Sequence, residues 1–396
     1  MKLQGRELYK ALGSPKTIVA PMVDQSELAW RLLSRKHGAQ LCYTPMFNAK
    51  LFANNATYRN DNFGELDGDP ATDRPLVVQF CANDPEELLK AARHVQGRCD
   101  AVDLNLGCPQ GIARKGHYGA FLMEDWDLIH RLINKLHTEL DIPVTAKIRR
   151  YDTKEKTLEY AKMVLNAGAQ FLTIHGRTRE MKGQATGLAD WSYIRYLRDN
   201  LPPETVIFMN GNIIYPQDIP RALEITGADA VMSAETNLVN PAIFNYDKPL
   251  EDIDAHFPRV DKMLREYFEI AKKTPGRINA AVMKTHFFKL LRSFAPYHID
   301  IRNAIGPIKR GEYEEYEEIV KKVEQRVEEA IAADPTKDTI SADGEYFELP
   351  YWRCQPLFRT IDGVKTNGKR PADTDEALEK RKKVDERKKK HEEAVA

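Results

Sequence analysis

Short apolar runs of β-forming residues recur along the first two-thirds of the chain, and amphipathic stretches separate most of them. The runs cover residues 17–22, 41–45, 76–81, 101–107, 144–148, 171–175, 206–210 and 230–234. Helical spacing of apolar residues fills 26–37, 86–95, 126–140, 154–167, 189–200 and 216–225. Strands that alternate with helices predict parallel pairing through right-handed crossovers. Eight such units predict an α/β chain folded as a (β/α)8 TIM barrel. A doubly wound open sheet is the competing fold, but no GxGxxG follows an early strand. The second connection, 46–74, is long and rich in Asn, Asp and Gly, with one helical turn expected near 49–56. Loops of that length are often functional, and in a barrel this one falls on the catalytic face.

Beyond about residue 257 the alternation stops. Helical patterns over 260–273, 279–294, 301–305 and 312–331 follow one another without strands. The expected organisation is therefore a barrel over 1–257, a helical domain over 258–333 and an extension over 334–396. The extension carries one aromatic island, Tyr346 to Arg353, expected to pack back on the folded body. From Asn367 onward charged residues dominate and aromatics are absent, the composition of a disordered or frayed tail.

Composition removes several classes. No apolar run approaches the roughly 18 residues of a membrane span. The N-terminus is polar and lacks the apolar centre of a secretion signal. The five cysteines are scattered, with no CxxC pair, which points to reduced thiols in the cytoplasm or nucleus and away from a metal site. The net charge is zero, yet residues 259–310 hold 12 Lys+Arg against 4 Asp+Glu, and 312–329 hold 8 Glu against 3 Lys+Arg. A basic face that meets a polyanion is expected from the first stretch. In the tail, Lys369-Arg370 and Lys380 to Lys383 read as a bipartite nuclear import signal, an RNA-contacting arm or a plain charged tail, since eight acidic residues share that segment.

In barrels of this type the strand C-terminal ends carry the chemistry. Here they end in Pro21-Met22-Val23, Gln79, Asn105 to Pro109, Lys147 to Arg149, His175 to Arg179, Asn210-Gly211-Asn212 and Ser233 to Glu235. Taken singly, Gln79, Lys147 and His175 each read as a satisfied structural polar group. Together on one rim they imply a bound polar ligand, because buried polar side chains cost free energy unless paired. The turn Gly107-Cys108-Pro109 presents a single thiol at that rim.

The phrases APMVD, VQFCAND, DLNLGCPQ, AKIRR, TIHGRTR and MNGNI, in this order and over about residues 14–330, resemble the tRNA-dihydrouridine synthases. The eighth strand end, MSAETNLVNPAIF, differs from the Gly-Arg-Gly ending of many bacterial members. It is similar to the eukaryotic branch that modifies D-loop uridines at tRNA positions 16 and 17. The resemblance implies an FMN-dependent barrel with a C-terminal helical domain, tRNA as substrate and NADPH (or NADH) as reductant. It implies that Pro21, Met22 and Val23 line the flavin edge through their backbone, and that Gln79 and Asn105 hydrogen-bond the ring or the ground around it. It puts the charge of Lys147 near flavin N1 and the C2 oxygen, and His175 on the flavin or phosphate side. Asn210, Gly211 and Asn212 with Ala234 and Glu235 form the phosphate end, Glu235 through its backbone rather than its carboxylate.

Reduction of the uracil C5=C6 bond needs a hydride at C6, from reduced FMN, and a proton at C5. A cysteine thiol is mostly protonated at neutral pH, which makes Cys108 the candidate acid. Cys42, Cys81 and Cys99 are expected only to pack. The basic loop from Arg114 to Ala120 is expected to cover the site. The target base must leave a folded tRNA, so binding has to supply the cost of extrusion. Arg177, Arg179, Lys284, His286 and Arg292 are the expected tRNA contacts. A monomer is expected, the tRNA itself supplying the large contact surface. Three other readings compete. One is a flavin barrel acting on a small pyrimidine, which leaves the basic helices without use. Another is a Schiff-base aldolase on Lys147, which leaves Cys108 without a task. The last is a non-catalytic RNA-binding barrel, against which an intact Cys108 and Lys147 stand.

Overall fold

A computed structural model describes residues 2–365 except 184–185, 250, 340, 344–345, 359 and 362–363. The charged tail with its candidate import signal lies outside the described residues. Eight parallel strands close into a barrel: β1 Thr17–Val19, β2 Leu41–Tyr43, β3 Leu76–Cys81, β4 Ala101–Leu106, β5 Val144–Arg149, β6 Leu172–His175, β7 Ile207–Asn210 and β8 Ala230–Ser233. Each pairs with the next, and β1 closes the ring on β8 in the register Thr17↔Val231 and Val19↔Ser233. The expected TIM barrel is therefore the fold, and every one of the eight apolar runs supplies a strand.

Alternation within the strands sorts the barrel interior by height. At the N-terminal end Ile18, Leu41, Val77, Ala101, Phe208 and Ala230 form an apolar cluster. Leu8, Tyr9 and Leu12 join it from an N-terminal helix, Gly5–Ala11, which the polar opening of the sequence concealed. Nearer the C-terminal tips the inward positions turn polar: Asp103 and Asn105 on β4, Thr145, Lys147 and Arg149 on β5, Thr173 and His175 on β6. The apolar floor holds the barrel by burial, at roughly 25 cal/mol per Å², and leaves the rim free to carry polar groups.

The connection after β2 is more ordered than expected. Two helices, Ala49–Asn54 and Ala56–Asn62, replace a single turn, because Asn48 and Asn55 each cap one by accepting from the backbone N–H three residues on. Arg31, wholly buried, anchors the loop's later part through Asp73 and Asp67. A second departure concerns the segment expected to cover the site. It forms the helix Gly111–Gly116 and a 3-10 turn, Gly119–Leu122, held against the Cys108 turn: Ala120 N–H donates to the Cys108 carbonyl at 3.1 Å.

The C-terminal helices Val260–Lys273, Arg277–Leu290, Ile299–Ile305 and Tyr313–Ala333 share their own apolar cluster. Ala29, Trp30 and Leu33 of the helix Leu28–Lys36 enter that cluster and tie it to the barrel. The aromatic island does return to the body where it is described. Trp352 and Cys354 are buried in the helical cluster, and Arg353 reaches Asp338, Asp254 and the Phe257 carbonyl. Further on, Leu349 and Phe358 pack on Ile214, Tyr215 and Phe257 beside the barrel rim.

Candidate active site

Cys108 stands directly after β4, and it is the one cysteine of the five that is not buried; Cys42, Cys81, Cys99 and Cys354 are packed inside. A chain of side-chain hydrogen bonds holds its turn. Thr145 Oγ1 donates to Asp103 at 2.6 Å, and Gln79 Nε2 donates to the other Asp103 oxygen at 2.8 Å. Asn105 Nδ2 donates to Gln79 Oε1 at 2.8 Å. Asn105 Oδ1 in turn accepts the backbone N–H of Gly107 and of Cys108, at 3.1 and 2.9 Å. Gln79 and Asn105 each donate and accept, which links the Asp103 carboxylate to the Cys108 backbone, and a buried polar network of this kind fixes one geometry. From the other side Arg149 donates to the Gly107 carbonyl at 2.7 Å. Gly119, at φ +63°, fits beneath because a Cβ there would meet the Cys108 carbonyl oxygen at 2.8 Å.

Asp103 is the residue that sequence reasoning missed, and Arg149 was read there as a strand end without a role of its own. Both were signalled by alternation: Asp103 is two residues before Asn105, and Arg149 two after Lys147, so each shares an inward face with a residue already singled out. Burial raises the Asp103 carboxyl to about 6, against its hydrogen bonds from Thr145 and Gln79 and the nearby charge of Lys147. Burial lowers Lys147 to about 8, helped by Arg149 and opposed by Asp103. Lys147 is half-buried, and desolvation outweighs the neighbouring Asp103 charge that favours its ammonium form. Arg149 is lowered to about 10 by its own burial.

Beside the thiol a cavity of about 220 Å³ runs from Pro109 past His175 and Arg177 to Asn210–Asn212 and Ala234–Glu235, with Leu357 on its far wall. Arg149, His175, Arg177 and Lys182 line it against one carboxylate, Glu235. That balance suits an anionic group. Gly211 permits the close approach of backbone: at φ +115°, a Cβ would lie 2.7 Å from Ala189 Cβ and 3.2 Å from the His175 ring. Asn212 clamps Ala189 by donating to its carbonyl and accepting its N–H, and also accepts from Arg177. Asn210 joins β7 to β8 by donating to the Met232 carbonyl. Glu235 opens the helix Glu235–Val239 with an exposed side chain.

Three expected placements change. Arg177 is buried, bonded to the Thr186 and Gly187 carbonyls, Asn212 and His175, so it belongs to the wall of this cavity and not to an outer tRNA surface. His286 is fully buried: it faces Glu27 at 3.0 Å and stacks on Trp30 at 4.2 Å, out of reach of any phosphate. It shares a helical stripe with Met283, Phe287 and Leu290, a spacing that marks the packed face. At the first strand end the Met22 N–H and carbonyl are engaged by Ser26, so that turn's open backbone lies at Pro21 and the exposed Val23. Arg179, Lys284 and Arg292 remain on the surface side. Arg179 pairs with Glu124 and Glu180, and Lys284 donates to the Gly306 carbonyl.

Among the described residues no helix is long and apolar enough to cross a membrane, and no group of three His, Cys, Asp or Glu side chains is placed to hold a metal. Residues 18–340 match the family model described as dihydrouridine synthase (Dus). The tRNA-dihydrouridine(16/17) synthase (NAD(P)(+)) of Saccharomyces cerevisiae is 58% identical over 97% of this chain and 93% of its own length. Its namesake in Schizosaccharomyces pombe is 46% identical over 94% of this chain and 95% of its own. The tRNA-dihydrouridine(20a/20b) synthase-like protein of Homo sapiens is 35% identical over 57% of this chain and 70% of its own. The chain belongs to the dihydrouridine synthase family and is an oxidoreductase of that family.

Proposed function

We propose that this protein reduces the C5=C6 bond of uridines in the D-loop of tRNA, at positions 16 and 17, with FMN as the bound cofactor and NADPH (or NADH) as the reductant. The observation that carries the reading is the half-exposed Cys108 thiol, held in one geometry beside Lys147 and next to a cationic cleft. The positions follow the names of relatives that match nearly the whole chain. The residues fit a phosphate-bearing flavin: basic side chains outnumber the single carboxylate along the cleft, and Gly211 lets the backbone come close.

When bound, reduced FMN supplies the hydride that is delivered to uracil C6. With FMN bound, the Lys147 ammonium would face the flavin ring, where a positive charge would stabilise the reduced state. Pro21 and Val23 would border the flavin edge, beside Met22, which packs on the core. Gln79 and Asn105 would form the ground for the ring, and Asn105 fixes the Cys108 backbone. His175, Arg177, Asn210, Gly211 and Asn212 hold the phosphate end with the backbone of Ala234 and Glu235. Cys108 Sγ gives its proton to uracil C5 on the face opposite the hydride, completing addition of two hydrogens across the double bond. Arg179, Lys284 and Arg292 take backbone phosphates of the tRNA. The Arg179 pairs are half-exposed and weak enough to exchange.

Mapping dihydrouridine in tRNA from cells that lack the protein tests the reading. Loss of the modification at positions 16 and 17, restored by the wild-type chain, is expected. Unchanged modification there overturns the assignment of positions, and a purified protein without visible flavin absorbance that cannot be reconstituted with FMN overturns the cofactor.

A further inference from the structure

Part of the basic excess of residues 259–310 is spent inside the helical region, at Arg259, Arg265 and Lys272. Arg265 pairs with Glu317 and Glu324 at 2.6 and 2.7 Å. Lys272 reaches Glu269 and Glu317, and Arg259 reaches Asp261 and Glu328. The acidic helix Tyr313–Ala333 thus neutralises the cations facing it. Lys289 and Arg292 lie elsewhere, and among the described residues neither has a carboxylate within ion-pair distance. They border a groove of about 350 Å³ between the helix Arg277–Leu290 and the returning segment 349–356. None of the described residues lining it is Asp or Glu.

Two like charges in one groove repel each other, and Lys289 is half-buried. Burial, then the Arg292 charge, lowers its pKa. An anion that joins the pair relieves this repulsion and the desolvation of Lys289. The same groove presents an aromatic surface. Tyr297 is 67% exposed, unusual for so large a side chain. Its ring stacks on Tyr351 at 4.2 Å and 17°, and Tyr351 is braced edge-on by Trp352 at 5.0 Å. A rigidly backed, exposed ring beside two unneutralised cations is the combination that binds a nucleic-acid strand, phosphates on the cations and a base on the ring.

Its position relative to the active site is also defined. Gln355 and Pro356 line the groove, and the next residue, Leu357, lines the cationic cleft beside Cys108. Val239, also in the groove, ends the short helix that Glu235 begins at that cleft. One segment therefore borders both sites. The segment lies beyond residue 340, where the family match ends, so the groove is completed by sequence outside the family core.

We propose that the groove formed by Lys289, Arg292, Tyr297, Tyr351 and Gln355 is a second tRNA contact, which takes two backbone phosphates and one unpaired base of the substrate outside the reacting uridine. The proposal rests on tRNA being the substrate. Unmodified tRNA transcript is titrated against the flavin-loaded full chain at several salt concentrations. The wild type is compared with Lys289→Gln/Arg292→Gln, Tyr297→Ala and the conservative Arg292→Lys. The double variant is expected to bind at least tenfold more weakly and to lower the slope of log affinity against log salt by about 1.4–1.8, the release expected for two phosphates. Tyr297→Ala is expected to weaken binding at least about fivefold with the slope unchanged, as loss of one stacked base requires. Arg292→Lys is expected to keep the wild-type slope.

Wild-type affinity and slope in the double variant overturn the proposal. So does polyglutamate that competes with tRNA as well as a single-stranded RNA of equal charge, which assigns the groove to an acidic protein. Flavin absorbance and far-ultraviolet circular dichroism report the fold of each variant. Should the double variant misfold, the exposed Tyr297→Ala decides alone. A wild-type chain that fails to bind tRNA at all overturns the substrate reading instead, a result distinct from variants that bind as the wild type does.

Discussion

The two ends of the active-site rim are built on opposite principles. Around Cys108, side chains hold one another: Thr145, Asp103, Gln79 and Asn105 form a buried chain whose last link is the backbone of the thiol's own turn. At the cleft between β6 and β8, backbone geometry and unbalanced positive charge dominate, with Gly211 making room and Arg177 and His175 lining the wall. The first arrangement fixes direction, which proton delivery requires. The second supplies charge, which holding an anionic group requires. Damage at one end should therefore cost turnover, and damage at the other should cost retention of the cofactor.

The sharpest test is Cys108→Ala. Turnover on tRNA is expected to fall by about 100- to 10,000-fold, the range for loss of a positioned general acid, while flavin content stays at the wild-type level. A variant that sheds flavin would break the division. Arg177→Gln should do the reverse, weakening flavin retention by roughly 10- to 100-fold through loss of charged hydrogen bonds, measured by equilibrium dialysis. If flavin stays bound and only turnover drops, Arg177 acts at the wrong end for this account.

The pH profile sharpens the comparison further. Asp103, raised to about 6, is neutral below that value, and Lys147, lowered to about 8, is neutral above its own. Both are charged only between about pH 6 and 8, so single-turnover reduction is expected to follow a bell with those limbs, falling about tenfold per unit outside them. Asp103→Asn should remove the acidic limb and keep the one near 8. An unaltered acidic limb would show that another group sets it. The smallest effect is expected outside the rim, at Arg179→Gln. Its exposed pairs with Glu124 and Glu180 are worth at most about 1 kcal/mol, so tRNA affinity should change by no more than about fivefold and flavin retention not at all.

Much of this arrangement was legible in the chain. Asn105, Lys147 and His175 stand out because a polar residue at the end of an apolar run has few reasons to be there. Asp103 was harder to see, since DLNL reads as an apolar strand with one polar neighbour, and only the i, i+2 pairing with Asn105 gives it away. His286 was misplaced for a related reason. It stands among cations in the sequence but on the Met283–Phe287–Leu290 stripe in the helix, and burial against Trp30 follows the stripe. The N-terminal helix gave only Leu8, Tyr9 and Leu12 as a signal, too short a period to separate from a loop.

The sequence alone determined the barrel, its eight strands, the thiol and most of the polar rim, because alternation along a strand and period along a helix are local properties of the chain. Tertiary structure decided which charges are spent and which are available. Arg265 and Lys272 vanish into pairs with a helix about 50 residues away, and Arg177 turns inward. Among the described residues Lys289 and Arg292 stay without a carboxylate, and they meet Tyr351 only because the extension folds back. Electrostatic partners are set by distance in space, and the linear order of residues carries no record of it.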